Sequence, residues 1–104
     1  MKQPRLLAVG RGRDERPTPQ SFFDTVNEEF GFTLDAAAGP DNYKCARWFG
    51  VEDDGLCQKW EGVVWCNPPY SEVGLWVEKA ASEAKNGITS VLLLPASTDT
   101  AWFH

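Results

Sequence analysis

No apolar run in this chain of 104 residues approaches the ~20 residues that a membrane span requires. The N-terminal residues carry charge but lack the apolar segment and cleavage site of a signal peptide, so a cytoplasmic protein with no membrane contact is expected. Cysteine is scarce: Cys45, Cys57 and Cys66 are odd in number and widely spaced, with no Cys-x-x-Cys pair. That pattern argues against a disulfide framework and against a zinc site, even with His104 as a fourth ligand. Reduced thiols packed as small apolar groups are expected instead, and no metal. Positive charge is also short. A net charge of −5 argues against a protein that coats nucleic acid generally. Internal repeats and low-complexity segments are absent.

What remains is material for one small domain. Hydrophobic residues make up 42% of the chain, with five Trp and six Phe, which suffices for a core. Charge is unevenly spread. Residues 1–17 carry Lys2, Arg5, Arg11, Arg13 and Arg16 against Asp14 and Glu15, whereas the rest carries five basic and thirteen acidic residues. A basic segment beside an acidic body can touch phosphates or stand as a solvated leader. Residues 1–17 read as a flexible tail in which Leu6-Leu7-Ala8-Val9 is the exception, and residues 18–104 read as the folded domain.

Within that domain, Thr18-Pro19 has the form of a helix start, a hydroxyl cap followed by a proline in the first turn. Phe22, Phe23, Val26 and Phe30 then share one helical face, and Gly31 can end the helix. Phe32 to Ala36 reads as the first strand. Asp35, where that strand stops, is placed either to take hydrogen bonds from a ligand at the carboxyl edge of a parallel sheet or to cap a turn. Ala36, Ala37 and Ala38 keep the adjoining wall low, and Gly39 lets the backbone approach closely. Tyr43 to Phe49 is ambiguous between a strand and a helical turn, and Glu52-Asp53-Asp54-Gly55 is an acidic loop.

Val63-Val64-Trp65 is a buried strand that runs into Cys66-Asn67-Pro68-Pro69-Tyr70. Each proline fixes its own φ and biases the preceding residue towards extended conformations, so the strand ends in a stiff loop that displays Asn67 and Tyr70. That loop is either a rigid strand-to-helix connection or a site presenting one amide and one aromatic face to a flat, amine-bearing ligand. Val73, Trp76, Val77, Ala80, Ala81 and Ala84 follow at helical spacing as core packing, with Asn86-Gly87 as the stop. Ser90 to Leu94 is a continuous apolar run, as for a strand covered on both faces. The alternation of helix and strand means an α/β fold with a mostly parallel sheet.

Asn67-Pro68-Pro69-Tyr70 resembles the catalytic motif of methyltransferases that use S-adenosylmethionine to methylate an exocyclic amine. More closely, the chain is similar to the phage-type DNA N-6-adenine methyltransferase family. It shares Thr18-Pro19-Gln20, Phe32 to Ala37, Lys44-Cys45-Ala46-Arg47, Glu52 to Leu56, Trp65 to Tyr70, Leu93 to Ala96 and Trp102-Phe103-His104 with that family in matching order. The resemblance implies a partial Rossmann-like class I methyltransferase fold and a phage or prophage origin. It implies S-adenosylmethionine as cofactor, with Thr18, Pro19, Asp35, Ala36, Gly39 and Asp54 at its site and Thr18-Pro19 against its methionine part. It also implies a catalytic set of Asn67, Pro68, Pro69 and Tyr70 acting on an adenine flipped out of DNA. The run from Ala36 to Gly39 holds less glycine than many methyltransferases carry there. RNA or a protein glutamine as acceptor, or a fragment that binds nucleic acid or a partner without turnover, are the alternatives. The family's chains continue beyond this point, so the sequence is expected to be cut short. An edge of the Val91–Leu94 strand would then lie open to self-association.

Overall fold

The run Val91-Leu92-Leu93-Leu94 sits at the centre of the architecture. The computed structural model describes residues 5–9 and 19–95. Within them lie strands β1 (Arg5–Val9), β2 (Leu34–Asp35), β3 (Val63–Cys66) and β4 (Thr89–Pro95), and helices α1 (Gln20–Phe30) and α2 (Val73–Ala84). The strands form one sheet in the order β1-β4-β3-β2, and every pairing among them is parallel. A strand turns alternate side chains to opposite faces. Leu92 and Leu94 accordingly join Val64 and Cys66 of β3 and Val73, Trp76 and Ala80 of α2 on one face. Val91 and Leu93 join Trp65 of β3 and Phe23 of α1 on the other. The result is a helix–sheet–helix α/β sandwich, compatible with a partial Rossmann-like fold.

Each helix has a local reason to exist. In α1, Phe23 is buried with its ring edge against Trp65 at 5.1 Å, while Phe22, Val26 and Phe30 flank it. Gly31 closes the helix in the left-handed region (φ 68°) and donates its N–H to the Asn27 carbonyl, a conformation costly for any residue with a Cβ. Pro19 holds the N-cap position without a side-chain cap bond; Thr18, the expected cap, lies outside the described residues. Helix α2 follows a 3-10 turn over Tyr70–Glu72, buries Trp76 and Ala80 on the sheet, and gives way to a turn through Gly87 (φ 85°). No helix among the described residues is long and apolar enough to cross a membrane.

Three expectations are corrected. The open edge expected at β4 does not exist, because β4 is interior, with β3 on one side and β1 on the other. Arg5 to Val9, assigned to the tail apart from its apolar run, supplies that strand. A short parallel strand shows no periodicity of its own, and here glycines and charges surround its apolar run in the sequence. The strand expected over Phe32–Ala36 shrinks to Leu34–Asp35. Finally, Tyr43–Phe49 is neither helix nor full strand. Its residues 47–49 run beside β2, with Asp35 N–H donating to the Arg47 carbonyl (3.0 Å) and Phe49 N–H donating to the Asp35 carbonyl (2.9 Å).

Candidate active site

At the carboxyl ends of β2 and β3 three loops meet, and the first is organised by Asp35. Its side chain is 2% exposed. One carboxylate oxygen accepts the Ala37 N–H (3.3 Å) and the other the Lys44 N–H (3.0 Å), which folds residues 36–44 back over the strand end. Burial pushes the Asp35 carboxyl up to about 6, against the opposing pull of those two N–H groups and of the Lys44 charge. Two thiols feel the same surroundings. Burial, with Asp35 adding to it, raises Cys45 to about 11 and Cys66 well above the ordinary thiol value. All three cysteines are unpaired, and Cys45 and Cys66 pack in the core as small apolar groups.

The second loop, residues 50–57, is held from below. Gly55 is buried against the Ala36 carbonyl and the Trp76 ring so closely that a Cβ there would overlap the carbonyl. The Trp60 indole N–H donates to the Gly55 carbonyl at 2.9 Å, and the Trp60 and Trp76 rings stack at 6.5 Å. Trp60 is anchored in turn by Glu83 of α2, which accepts the Trp60 backbone N–H (3.2 Å) and pairs with Lys79 (2.8 Å). Burial favours protonated Glu83, but the Lys79 ammonium and the Trp60 N–H outweigh it and hold the carboxyl below its ordinary value. Asp54, just before Gly55, is exposed and takes a left-handed conformation (φ 56°), which Asp tolerates better than most residues.

The third loop is Asn67-Pro68-Pro69. Pro68 is fully buried, whereas Asn67 and Pro69 are half-buried. Two consecutive prolines leave this segment little freedom, so Asn67 is presented from a stiff support. The three loops enclose a pocket of about 550 Å³ between Asp35, Ala36, Gly39 and Lys44, Gly50, Val51 and Asp54 to Leu56, and Asn67 to Pro69, with Trp76 behind.

A pocket at the carboxyl edge of a parallel sheet, with Asn67-Pro68-Pro69 in its wall, is the setting in which the sequence comparisons can be weighed. The profile of the DNA N-6-adenine-methyltransferase (Dam) family matches residues 8–104. The chain belongs to this family. Among its relatives, the DNA N-6-adenine-methyltransferase of Escherichia phage T1 is 36% identical over 95 residues, which take in 88% of this chain and 40% of that protein. That of Haemophilus phage HP1 is 33% identical over 95 residues, 88% of this chain and 55% of that protein. YfdM of Escherichia coli K12 is 37% identical over 65 residues, 55% of this chain and 71% of that protein. The chain therefore spans well under two thirds of the two phage proteins. No solved structure matches it significantly.

In this member of the Dam family, Asp35, Ala36, Gly39, Asp54, Asn67, Pro68 and Pro69 are brought to one pocket from segments far apart in sequence. Tyr70 and Pro19 are not part of its wall. Tyr70 opens the 3-10 turn, half-buried against the core cluster beneath α2. Pro19 is exposed at the start of α1. Thr18 and the ending from Ala96 to His104 lie outside the described residues. Lys44, Phe49 and Trp76 line the pocket without having been singled out as site residues. The helical spacing of Trp76 reports only that it faces inward; in the structure it both packs in the core and lines the pocket.

Proposed function

We propose that this chain carries the methyl-transfer site of a DNA adenine methyltransferase, using S-adenosylmethionine to methylate the exocyclic amine of adenine. The observation that carries the reading is the convergence of Asp35, Asp54 and the Asn67-Pro68-Pro69 segment on one pocket at the sheet's carboxyl edge. Its volume of about 550 Å³ suits a cofactor of nucleoside size, within the range of roughly 300–1,000 Å³ usual for small-molecule sites. The donor set fits as well. Asp35 and Asp54 are acceptors for a ligand's amine and hydroxyl groups, and the low wall at Ala36 admits a flat ring.

When bound, S-adenosylmethionine supplies an electrophilic methyl on a sulfonium. The protein's own contribution is orientation. An adenine amine is a weak nucleophile, because its lone pair is delocalised into the ring. The Asn67 side-chain oxygen and the Pro68 carbonyl would accept its two N–H bonds and turn the lone pair out of conjugation. Neutral acceptors suffice, since the amine loses its extra proton readily after alkylation. Tyr70 would stack on the base once it has swung out of the duplex. Alignment then supplies most of the rate.

Incubation with isotopically labelled S-adenosylmethionine and separate DNA, RNA and protein acceptors tests this. Label recovered as N6-methyladenine in DNA is the expected result. Label in RNA or on a glutamine amide would move the reading to those acceptors, and bound cofactor without any labelled product would leave a binding domain.

A further inference from the structure

The charged residues in the pocket wall are Asp35, Asp54, Glu72 and Lys44, so among the described residues Lys44 alone brings positive charge to it. Its surroundings are unusual for a lysine. The backbone N–H is committed to the Asp35 carboxylate at 3.0 Å, which places Lys44 directly beside the end of β2. The side chain is half-buried and its Nζ donates to the Gln20 side-chain oxygen at 3.0 Å, across 24 positions of sequence. Gln20 is the first residue of α1. A neutral amide steers an ammonium without cancelling its charge, and Lys44 makes no ion pair among the described residues. An ammonium has three donors, and the amide oxygen takes one. Gln20 thus holds the side chain of a lysine that belongs to a pocket wall whose other charged residues are acids.

We propose that Lys44, steered by Gln20, binds the carboxylate of the cofactor's amino-acid moiety. This rests on the methyltransferase reading above and assigns a residue to one end of the ligand. An α-amino acid group carries a cation and an anion a few bonds apart. The Asp35 carboxylate holds the Lys44 backbone N–H, and both residues line the same pocket wall, to which they bring opposite charges. The ammonium and sulfonium of the ligand would then face Asp35 and its carboxylate would face Lys44. Without Lys44 the pocket would present carboxylates alone to a group that is itself partly anionic.

The test compares S-adenosylmethionine with its decarboxylated analogue, which keeps the sulfonium and amine but lacks the anion, by calorimetric titration of the whole chain. Wild-type protein should prefer the carboxylated ligand. Lys44→Gln should weaken that ligand about tenfold while leaving the analogue unchanged, as expected for loss of one charge-assisted bond. Lys44→Arg should restore much of the difference. Gln20→Ala, which keeps the charge but frees the ammonium, should lower the preference by a smaller factor and provides a second reading should Lys44→Gln fold poorly. Equal losses for both ligands, or none for either, with the wild type binding well, would overturn the role of Lys44 while leaving the cofactor reading intact. A folded wild-type chain that binds neither ligand would overturn both.

Discussion

On the proposed reading Asn67 would meet the target amine through one oxygen on a short side chain, so its contribution is separable from that of the cofactor site. Asn67→Ala should cut single-turnover methyl transfer by about two orders of magnitude or more while cofactor affinity changes little, because orientation of the amine is lost and the cofactor's contacts are not. Transfer at the wild-type rate in that variant would remove Asn67 from the mechanism. Asp35 offers a different handle. Its carboxyl is raised from the ordinary 3.8 to about 6 by burial, so the folded state holds a proton more tightly than the unfolded chain does. The stabilisation from this group is fully present below pH 3.8 and is lost as pH rises through 6, a change of about 3 kcal/mol at most. Urea titrations between pH 4 and 7 should show this fall in wild-type protein, and Asp35→Asn should flatten it. A cationic ligand favours the ionised carboxylate, so cofactor affinity should rise over the same interval as stability declines. Identical pH profiles in wild type and Asp35→Asn would mean that Asp35 does not titrate there.

Between residue and molecule stands the loop from Gly50 to Trp60, which has almost no regular structure of its own. Its position is imposed by Trp60, fully buried, with one hydrogen bond to the Gly55 carbonyl and another to Glu83. Trp60→Phe keeps most of the buried ring but leaves the Gly55 carbonyl unpaired, a cost of about 1–3 kcal/mol. Gly55→Ala should be worse, since the added methyl meets backbone at the Ala36 carbonyl and cannot be accommodated by a side-chain rotation. Both variants should also weaken cofactor binding, because the same loop carries Asp54 and Leu56 into the pocket. Thermal unfolding together with ligand titration checks the pair. A destabilised Trp60→Phe protein with unaltered affinity would show that the loop's anchor and the pocket are independent.

At the scale of the whole molecule, the first ten residues are predicted to matter for assembly and not only for charge. Strand β1 covers the edge of β4 that would otherwise present unpaired N–H and C=O groups. Deleting residues 1–10 should lower the unfolding midpoint by several degrees and increase self-association relative to the intact chain. Sedimentation velocity and thermal unfolding of the shortened chain decide this. A shortened chain that stays monomeric with an unchanged midpoint would show that β1 does not protect the edge.

Local patterns were enough to locate both helices, the strands β3 and β4, the turn at Gly31 and the Asn-Pro-Pro-Tyr loop at the end of a strand. Each of these depends on residues within a few positions of one another: apolar spacing of 3.6 or 2, a glycine free to turn left-handed, prolines with fixed φ. The same patterns pointed to Asp35, since a carboxylate at a strand end is a local feature. Tertiary structure decided the rest. That Arg5–Val9 is a strand follows from its partner 86 residues along the chain, not from any period in its own five residues. Lys44 and Trp76 become pocket residues only when β2, the loop over Gly55 and α2 are assembled, and Trp60 becomes an anchor only because Gly55 and Glu83 arrive beside it. The physical reason is common to all of them. A side chain's type and spacing report how it treats water and what its own backbone can do, whereas its partners are set by where the sheet brings distant segments together.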